Sequence, residues 1–384
     1  MVDYEKIKLI CDKINSEVEN KNNTDISLLN GNASYLIYKL YQTQKPSNKE
    51  ELIRIISNSI SNLQVKNVSF GFADGYIGAC WAIARSGNKL SIIKDMDFEK
   101  ILNTALPYSL QEVKRGNYDY LHGGLGTVLL LLEIEELEYL LDFINGLTFS
   151  EIRKGNAVCW YDPLASKVGK QEVNLGLAHG LPSILLILTL IHEKTEGKID
   201  CIEKSSQIIE FILSQKNPIT EKSQFPNKYS DGNKDLFSRL AWCYGDLGIG
   251  FSIYLSGKRL KIKEWENEGI RILLLTSGRI NHKEDLVYTM GFCHGYAGVA
   301  HIFNRLYLET GLKQFDKARN FWLEHLLNHI TIDDNIIWPK TIKNNEVLNS
   351  SGLITGLAGI GLVLEGFLHE TPSYLDWDRC FLLS

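Results

Sequence analysis

The 384-residue chain is 44% hydrophobic and 23% charged, a balance that excludes a disordered polymer and allows a sizeable core. Its formal net charge of −5 is small, and its Lys and Arg are scattered without a basic stripe, so nucleic acid is an unsuitable partner. The seven cysteines, Cys11, Cys80, Cys159, Cys201, Cys243, Cys293 and Cys380, form no close pairs, which argues against a disulfide framework and leaves metal binding or chemistry for a subset.

The chain opens with MVDYEKIKLICDKINSEVEN, which is charged and has no secretory apolar run. A turn followed by an apolar helix then recurs seven times. The copies are LLNGNASYLIYKL from Leu28, FADGYIGACWAIA from Phe72, YLHGGLGTVLLLL from Tyr120 and LAHGLPSILLILTL from Leu177, then WCYGDLGIGFSIYL from Trp242, FCHGYAGVAHIF from Phe292 and LITGLAGIGLVLEGF from Leu353. Their shared core is Gly-x-x-Gly, with Ser in the second slot at Ser34 and Ser183. The first glycines, Gly31, Gly75, Gly123, Gly180, Gly245, Gly295 and Gly356, are spaced too unevenly for a strict solenoid, but each interval has room for two helices and a loop.

Amphipathic stretches precede the turns: EELIRIISNSISNL, FEKILNTALPYSL, IEKSSQIIEFILSQ, IKEWENEGIRILLL and FDKARNFWLEHLLNHI. The helices after the glycines are apolar nearly all round and must be buried on every side. Seven such pairs predict an all-α fold, an α/α toroid with seven inner and seven outer helices and the turns gathered at one end. Turns crowded around an axis are expected to need small residues and positive φ angles. No linker divides residues 1–384, so a single domain is expected. Residues 145–177 lack a helical period and predict a loop with some strand; the polar segment Asn217–Lys234 is a second insertion, and either can shape a groove. The longest apolar stretch, LGLAHGLPSILLILTLI, is broken by His179 and Pro182, so no transmembrane segment and a cytoplasmic location are expected.

If the turns converge, the polar residues before each first glycine share one site. Cys243 and Cys293 both stand two positions before that glycine in neighbouring repeats, and His294 follows Cys293. Two thiolates and one imidazole suit one Zn²⁺ per chain with a fourth coordination position open, the arrangement of catalytic zinc. His179 takes the slot before Gly180 that His294 takes before Gly295, and can move a proton near neutral pH. Asp119, Arg239 and Tyr244 supply a carboxylate and donors for a developing anion. His122 also precedes a first glycine and competes with His179; Asp74 and Asp246 read as helix caps. The remaining histidines, His301 among them, fall outside the turn register and carry no expected chemistry.

At the motifs SRLAWCYGDLGIG, GFCHGYAGVA and NLGLAHGLPSILL, and at the ending WDRCFLLS, the chain resembles the LanC family, the lanthionine synthetase component C proteins that cyclise lantibiotic precursors. The resemblance implies zinc on Cys243, Cys293 and His294, acid/base roles for His179 and Asp119, and supporting roles for Arg239 and Tyr244. It further implies that cysteine thiols add to dehydroalanine or dehydrobutyrine to form (methyl)lanthionine rings in a dehydrated precursor peptide. A lantibiotic dehydratase and a peptide exporter would be partners, and membrane association would come through that complex. The alternative is a zinc-containing glutathione- or peptide-binding relative without turnover. A toroid glycosidase would need paired carboxylates, and the turns offer two cysteines against one well-placed Asp.

Overall fold

A computed structural model describes residues 3–19, 25–42, 49–62, 69–92, 98–230, 236–332, 336–337, 352–369 and 371–384. Seven of its helices follow the glycine turns: α2 (Asn32–Tyr41), α4 (Tyr76–Leu90), α6 (Gly126–Glu133), α9 (Leu181–Lys194), α11 (Asp246–Leu260), α13 (Tyr296–Thr310) and α15 (Leu357–Leu368). Seven others alternate with them: α1 (Tyr4–Glu19), α3 (Lys49–Asn62), α5 (Glu99–Lys114), α7 (Leu140–Thr148), α10 (Ile202–Ser214), α12 (Lys263–Thr276) and α14 (Lys313–Asn328). Burial sorts the two sets as the periodicity predicts. In α9 every residue from Leu181 to Ile191 is buried, whereas α14 buries one stripe, Phe315, Ala318, Trp322, Leu323, Leu326 and Leu327.

The inner helices close a ring. α2 packs on α4, α4 on α6, α6 on α9 and α9 on α11, while α13 packs on α15 and α15 returns to α2. Between α11 and α13, Tyr254 donates its hydroxyl proton to Glu309 at 2.9 Å.

At the mouth, the residue two before each first glycine links its turn to the next. The amide of Leu29 donates to the Ala73 carbonyl at 3.1 Å, Ala73 to Leu121 at 2.8 Å, Ala178 to Cys243 at 3.2 Å and Cys243 to Cys293 at 3.3 Å. Cys293 donates to Ile354 at 3.0 Å, and Ile354 to Leu29 at 3.3 Å, which joins the last turn to the first. Among the described residues the junction between the third and fourth turns lacks this bond. There the Leu121 amide donates at 2.8 Å to the carboxylate of Asp119 instead.

One position earlier in each turn, Leu28, Phe72, Tyr120, Leu177, Trp242, Phe292 and Leu353 are all fully buried and plug the barrel beneath the mouth. The C-terminal 3-10 segment Pro372–Phe381 joins this plug. Phe381 stacks on Phe292 with centroids 4.2 Å apart, and its carbonyl accepts the Trp242 indole N–H at 3.0 Å. Asp378, fully buried, accepts from His301 at 2.8 Å and from two nitrogens of Arg305, so His301 ties this tail to α13.

The expectation about φ needs correction. Gly245 alone of the seven first glycines has a positive φ, +85°; Gly75 and Gly295, for instance, sit at −135° and −114°. Close approach is what selects glycine. A Cβ on Gly75 would lie 2.2 Å from the Ser69 carbonyl oxygen, and one on Gly298 would lie 1.8 Å from that of Phe292.

The insertion at 145–177 contains strand, as predicted, although Asn145–Thr148 complete α7. Strand β1 (Ile152–Lys154) pairs antiparallel with β2 (Ala157–Cys159), and the short helix α8 (Pro163–Lys167) follows, beyond the fourteen expected. Strand β3 (Glu172–Asn174) pairs with β4 (Lys228–Ser230), so the two insertions form one sheet. Residues 231–234 of the second insertion lie outside the described residues. A further strand pair, β5 (Thr331–Ile332) with β6 (Ile336–Ile337), follows α14 and was not anticipated from sequence.

Gly298→Ala should lower stability by about 1–3 kcal/mol, the usual cost of forcing extra volume into a packed position. Gly278→Ala, whose Cβ would meet nothing closer than 3.4 Å, should shift the urea midpoint hardly at all. Equal midpoints for the two variants would contradict this account of the turns.

Candidate metal centre and active site

The inter-turn bond from Cys243 to Cys293 sets the two cysteines side by side. The donor atoms of Cys243, Cys293 and His294 all lie within 4.8 Å of one another. Cys243 is buried, and the other two are half-buried. The thiols divide one proton: hydrogen bonding from Cys293, then His294, and the field of Arg239 pull Cys243 below the usual thiol range, while the neighbouring Cys243 and burial push Cys293 up. Two thiolates this close repel by at least roughly 3 kcal/mol at an effective dielectric of about 20. A divalent cation offsets that repulsion, so the donor set fits a metal and is poorly arranged without one. Trp242 and Phe292, the residues before the two cysteines, both rest on Phe381, so the tail holds the donors from below.

At the third and fourth turns, His179 Nδ1 lies 2.8 Å from Asp119 Oδ2. The other oxygen of Asp119 accepts the amides of Leu121, at 2.8 Å, and His122, at 3.3 Å. The carboxylate therefore substitutes for the missing inter-turn bond and fixes the imidazole across the gap. With Nδ1 engaged, Nε2 is the free nitrogen of His179.

His122 lies against this pair. Its ring stacks on His179 with centroids 5.8 Å apart and planes 16° from parallel, and its Nδ1 is 3.6 Å from Asp74 Oδ1. The structure thus brings the two competing histidines together rather than choosing between them. Hydrogen bonding to Asp74 raises the His122 pKa, and the same contact lowers that of Asp74. Neither expected helix cap is one. Asp74 pairs with His122, and Asp246 accepts the amides of Gln224 and Phe225 and a hydrogen bond from Arg279, all at 3.0 Å, anchoring the second insertion.

Arg239 and Tyr244 line a cleft of about 560 Å³ whose other walls come largely from both insertions, including Asp162, Asn174 and Lys228, with Phe237 and Leu286 beside them. Asn174 donates to the Tyr244 hydroxyl at 3.2 Å and to Asp162 at 2.7 Å, and accepts the Gly176 amide at 2.8 Å. Sequence reading missed Asn174 and Asp162. Asn174 heads the motif NLGLAHGLPSILL and sits six residues before Gly180, but it meets Tyr244 across 70 residues of chain.

The architecture and the mouth define a class of toroidal protein whose turns gather two cysteines and a histidine at one end of the ring. Residues 40–382 match the family described as lanthionine synthetase C-like protein, and the chain belongs to that family. It is similar to the nisin biosynthesis protein NisC of Lactococcus lactis subsp. lactis, at 23% identity, covering 100% of this chain and 97% of that one. A solved structure titled nisin cyclase superposes with a TM-score of 0.70 at 20% identity, over 99% of this chain and 97% of the other, and shares the toroid fold.

Asp119→Asn should retain most of the stability, because the amide oxygen can still accept from Leu121 and His122. Its NH₂ must then donate to Nδ1 of His179, which moves the imidazole proton to Nε2. Nitrogen-15 NMR of the histidine ring should show the inverted tautomer. Asp119→Ala should cost about 1–3 kcal/mol, because it strands a buried amide. The tautomer assignment fails if wild type and Asp119→Asn give the same ring signature.

Proposed function

We propose that this chain is a zinc-dependent peptide cyclase that adds cysteine thiols to dehydroalanine or dehydrobutyrine, forming lanthionine and methyllanthionine rings in a dehydrated lantibiotic precursor. The observation that carries the reading is the set of three donors, Cys243, Cys293 and His294, in the same mouth as the Asp119–His179 pair and the cleft lined by Arg239 and Tyr244. Cyclase or biosynthesis roles named for the two relatives support it. Residues 1–384 act as one domain in this reading, supported by the bond from the last turn back to the first.

Zinc held by the three donors would supply Lewis acidity that brings a substrate thiol, ordinarily near pKa 8.5, into the neutral range as thiolate. The protein's own groups handle the rest. The cleft between the insertions receives the peptide and presents a dehydro-residue to the mouth. As the S–C bond forms at the β-carbon, negative charge develops on the carbonyl oxygen. Arg239, whose guanidinium forms no ion pair with a described residue, is free to bind that oxygen, and the Tyr244 hydroxyl is a second donor beside it. His179 delivers a proton from Nε2 to the α-carbon, held in position through Nδ1 by Asp119. The thiol loses one proton and the α-carbon gains one, so the ring closes without net change.

The partners in this proposal are the dehydrated precursor, a dehydratase and an exporter, in the cytoplasm; no helix among the described residues is long and apolar enough to cross a membrane. Cyclisation adds no mass but removes one alkylatable cysteine per ring, so mass spectrometry after thiol alkylation reads it directly. The zinc form should consume thiols of a dehydrated cysteine peptide faster than the metal-free form at the same pH. Cys243→Ala should lose both metal and activity while staying helical, and His179→Ala should keep zinc but lose about 10²–10⁴ in rate. A zinc form no faster than the metal-free form would leave a zinc-bearing binder in place of the cyclase.

A further inference from the structure

His122 is not used by the mechanism above, yet it is bound into the site by three separate contacts. Its ring lies on that of His179, its Nδ1 faces Asp74, and its backbone amide donates to the oxygen of Asp119 that does not hold His179. Asp74 is itself oriented, since its Oδ1 accepts the Ser69 hydroxyl at 3.2 Å. The charged and titratable groups facing His122 are therefore Asp74, Asp119 and His179. The side chain of His122 is 49% exposed and that of His179 only 23%, so His122 stands on the solvent side of the stack.

We propose that His122, oriented by Asp74 and stacked on His179, is the solvent-side half of a proton relay that reloads His179 after each ring closure. The proposal rests on the cyclase reading. In one cycle the S–H bond of the substrate breaks, the S–C bond forms at the β-carbon, and the α-carbon takes the proton of His179 Nε2. His179 is then neutral and must recover the proton that the thiol released into the mouth. His179 Nδ1 is hydrogen-bonded to Asp119 and His122 Nδ1 faces Asp74 at 3.6 Å, which leaves the two Nε2 atoms as the exchanging nitrogens. No hydrogen bond joins the two rings among the described residues, so transfer runs through solvent water between these atoms. Asp74 raises the proton affinity of His122, and the exposed ring exchanges its proton with the mouth.

The role is separable from packing by His122→Phe, which keeps an aromatic ring on His179 but carries no exchangeable proton. In dilute non-imidazole buffer this variant should form rings about tenfold more slowly, less than the loss expected for removing the acid itself. Added imidazole should restore its rate in proportion to concentration and leave the wild type unchanged. Zinc content and unfolding midpoint should stay at wild-type values. Asp74→Asn should show a smaller loss with the same recovery. A His122→Phe enzyme that runs at the wild-type rate in every buffer, or whose loss imidazole does not touch, overturns the relay alone. A wild-type protein that consumes no thiol from a dehydrated peptide overturns the cyclase and the relay together.

Discussion

A single repeated hydrogen bond governs the mouth of this toroid: in six of the seven turns the amide two residues before the first glycine donates to the carbonyl at the same position of the next turn. Each bond is worth only about 0.5–1.5 kcal/mol net. Its importance is geometric, because it fixes the height of seven turns that arise far apart in the chain. Cys243 and Cys293 occupy that position in adjacent turns, so the bond that sets the turn spacing also sets the spacing of the two cysteines. Glycine follows from the same constraint. Turns pressed this closely leave no room for a Cβ against a neighbouring carbonyl, and only Gly245 additionally needs a left-handed backbone.

Among the described residues, the one junction without the backbone bond is where Asp119 and His179 stand. The inner helix that follows the third turn, α6, begins at Gly126 rather than directly after Gly123 and is the shortest of its ring. The strand of turns opens there, and Asp119 spans the opening with one oxygen on its own turn and the other on His179. A carboxylate in this place holds its own turn and the His179 ring at once. Its loss releases a buried amide and frees an imidazole. The separation of tautomer from fold in the asparagine variant depends on that double attachment.

Much of this was legible in the sequence. Seven glycine turns, the contrast between fully apolar and amphipathic helices, and the common register of Cys243, Cys293, His179 and His294 all read directly, because repetition converts spacing into position. What did not read were contacts that depend on how insertions fold. Asn174 meets Tyr244 across 70 residues of chain, and Asp246 looked like a cap because its true partners, Gln224, Phe225 and Arg279, lie outside its own turn. His122 and His179 appeared as rivals for one role, since register alone cannot show two rings stacking across neighbouring turns. His301 appeared inert for a related reason: its partner Asp378 is 77 residues away, in a tail with no helical period.

That tail holds the two cysteine turns from beneath the open mouth. Donor precision requires that the backbone behind the donors be held, and a loop exposed to solvent is the least suitable place for it. Here the residues directly before the two cysteines, Trp242 and Phe292, point inward and meet on Phe381, while Asp378 is bound to His301 and Arg305 on α13. The chain end thus closes the barrel from within and supports both donor turns on one aromatic contact. Burying Asp378 without compensation would cost several kcal/mol; two charge-assisted bonds from Arg305 and one from His301 offset it and fix where the tail lies. The polar lock orients the tail, and the apolar stack transmits that orientation to the cysteines. Rigidity at the mouth is therefore built from the core outward, with the cleft and His122 left on the solvent-facing side.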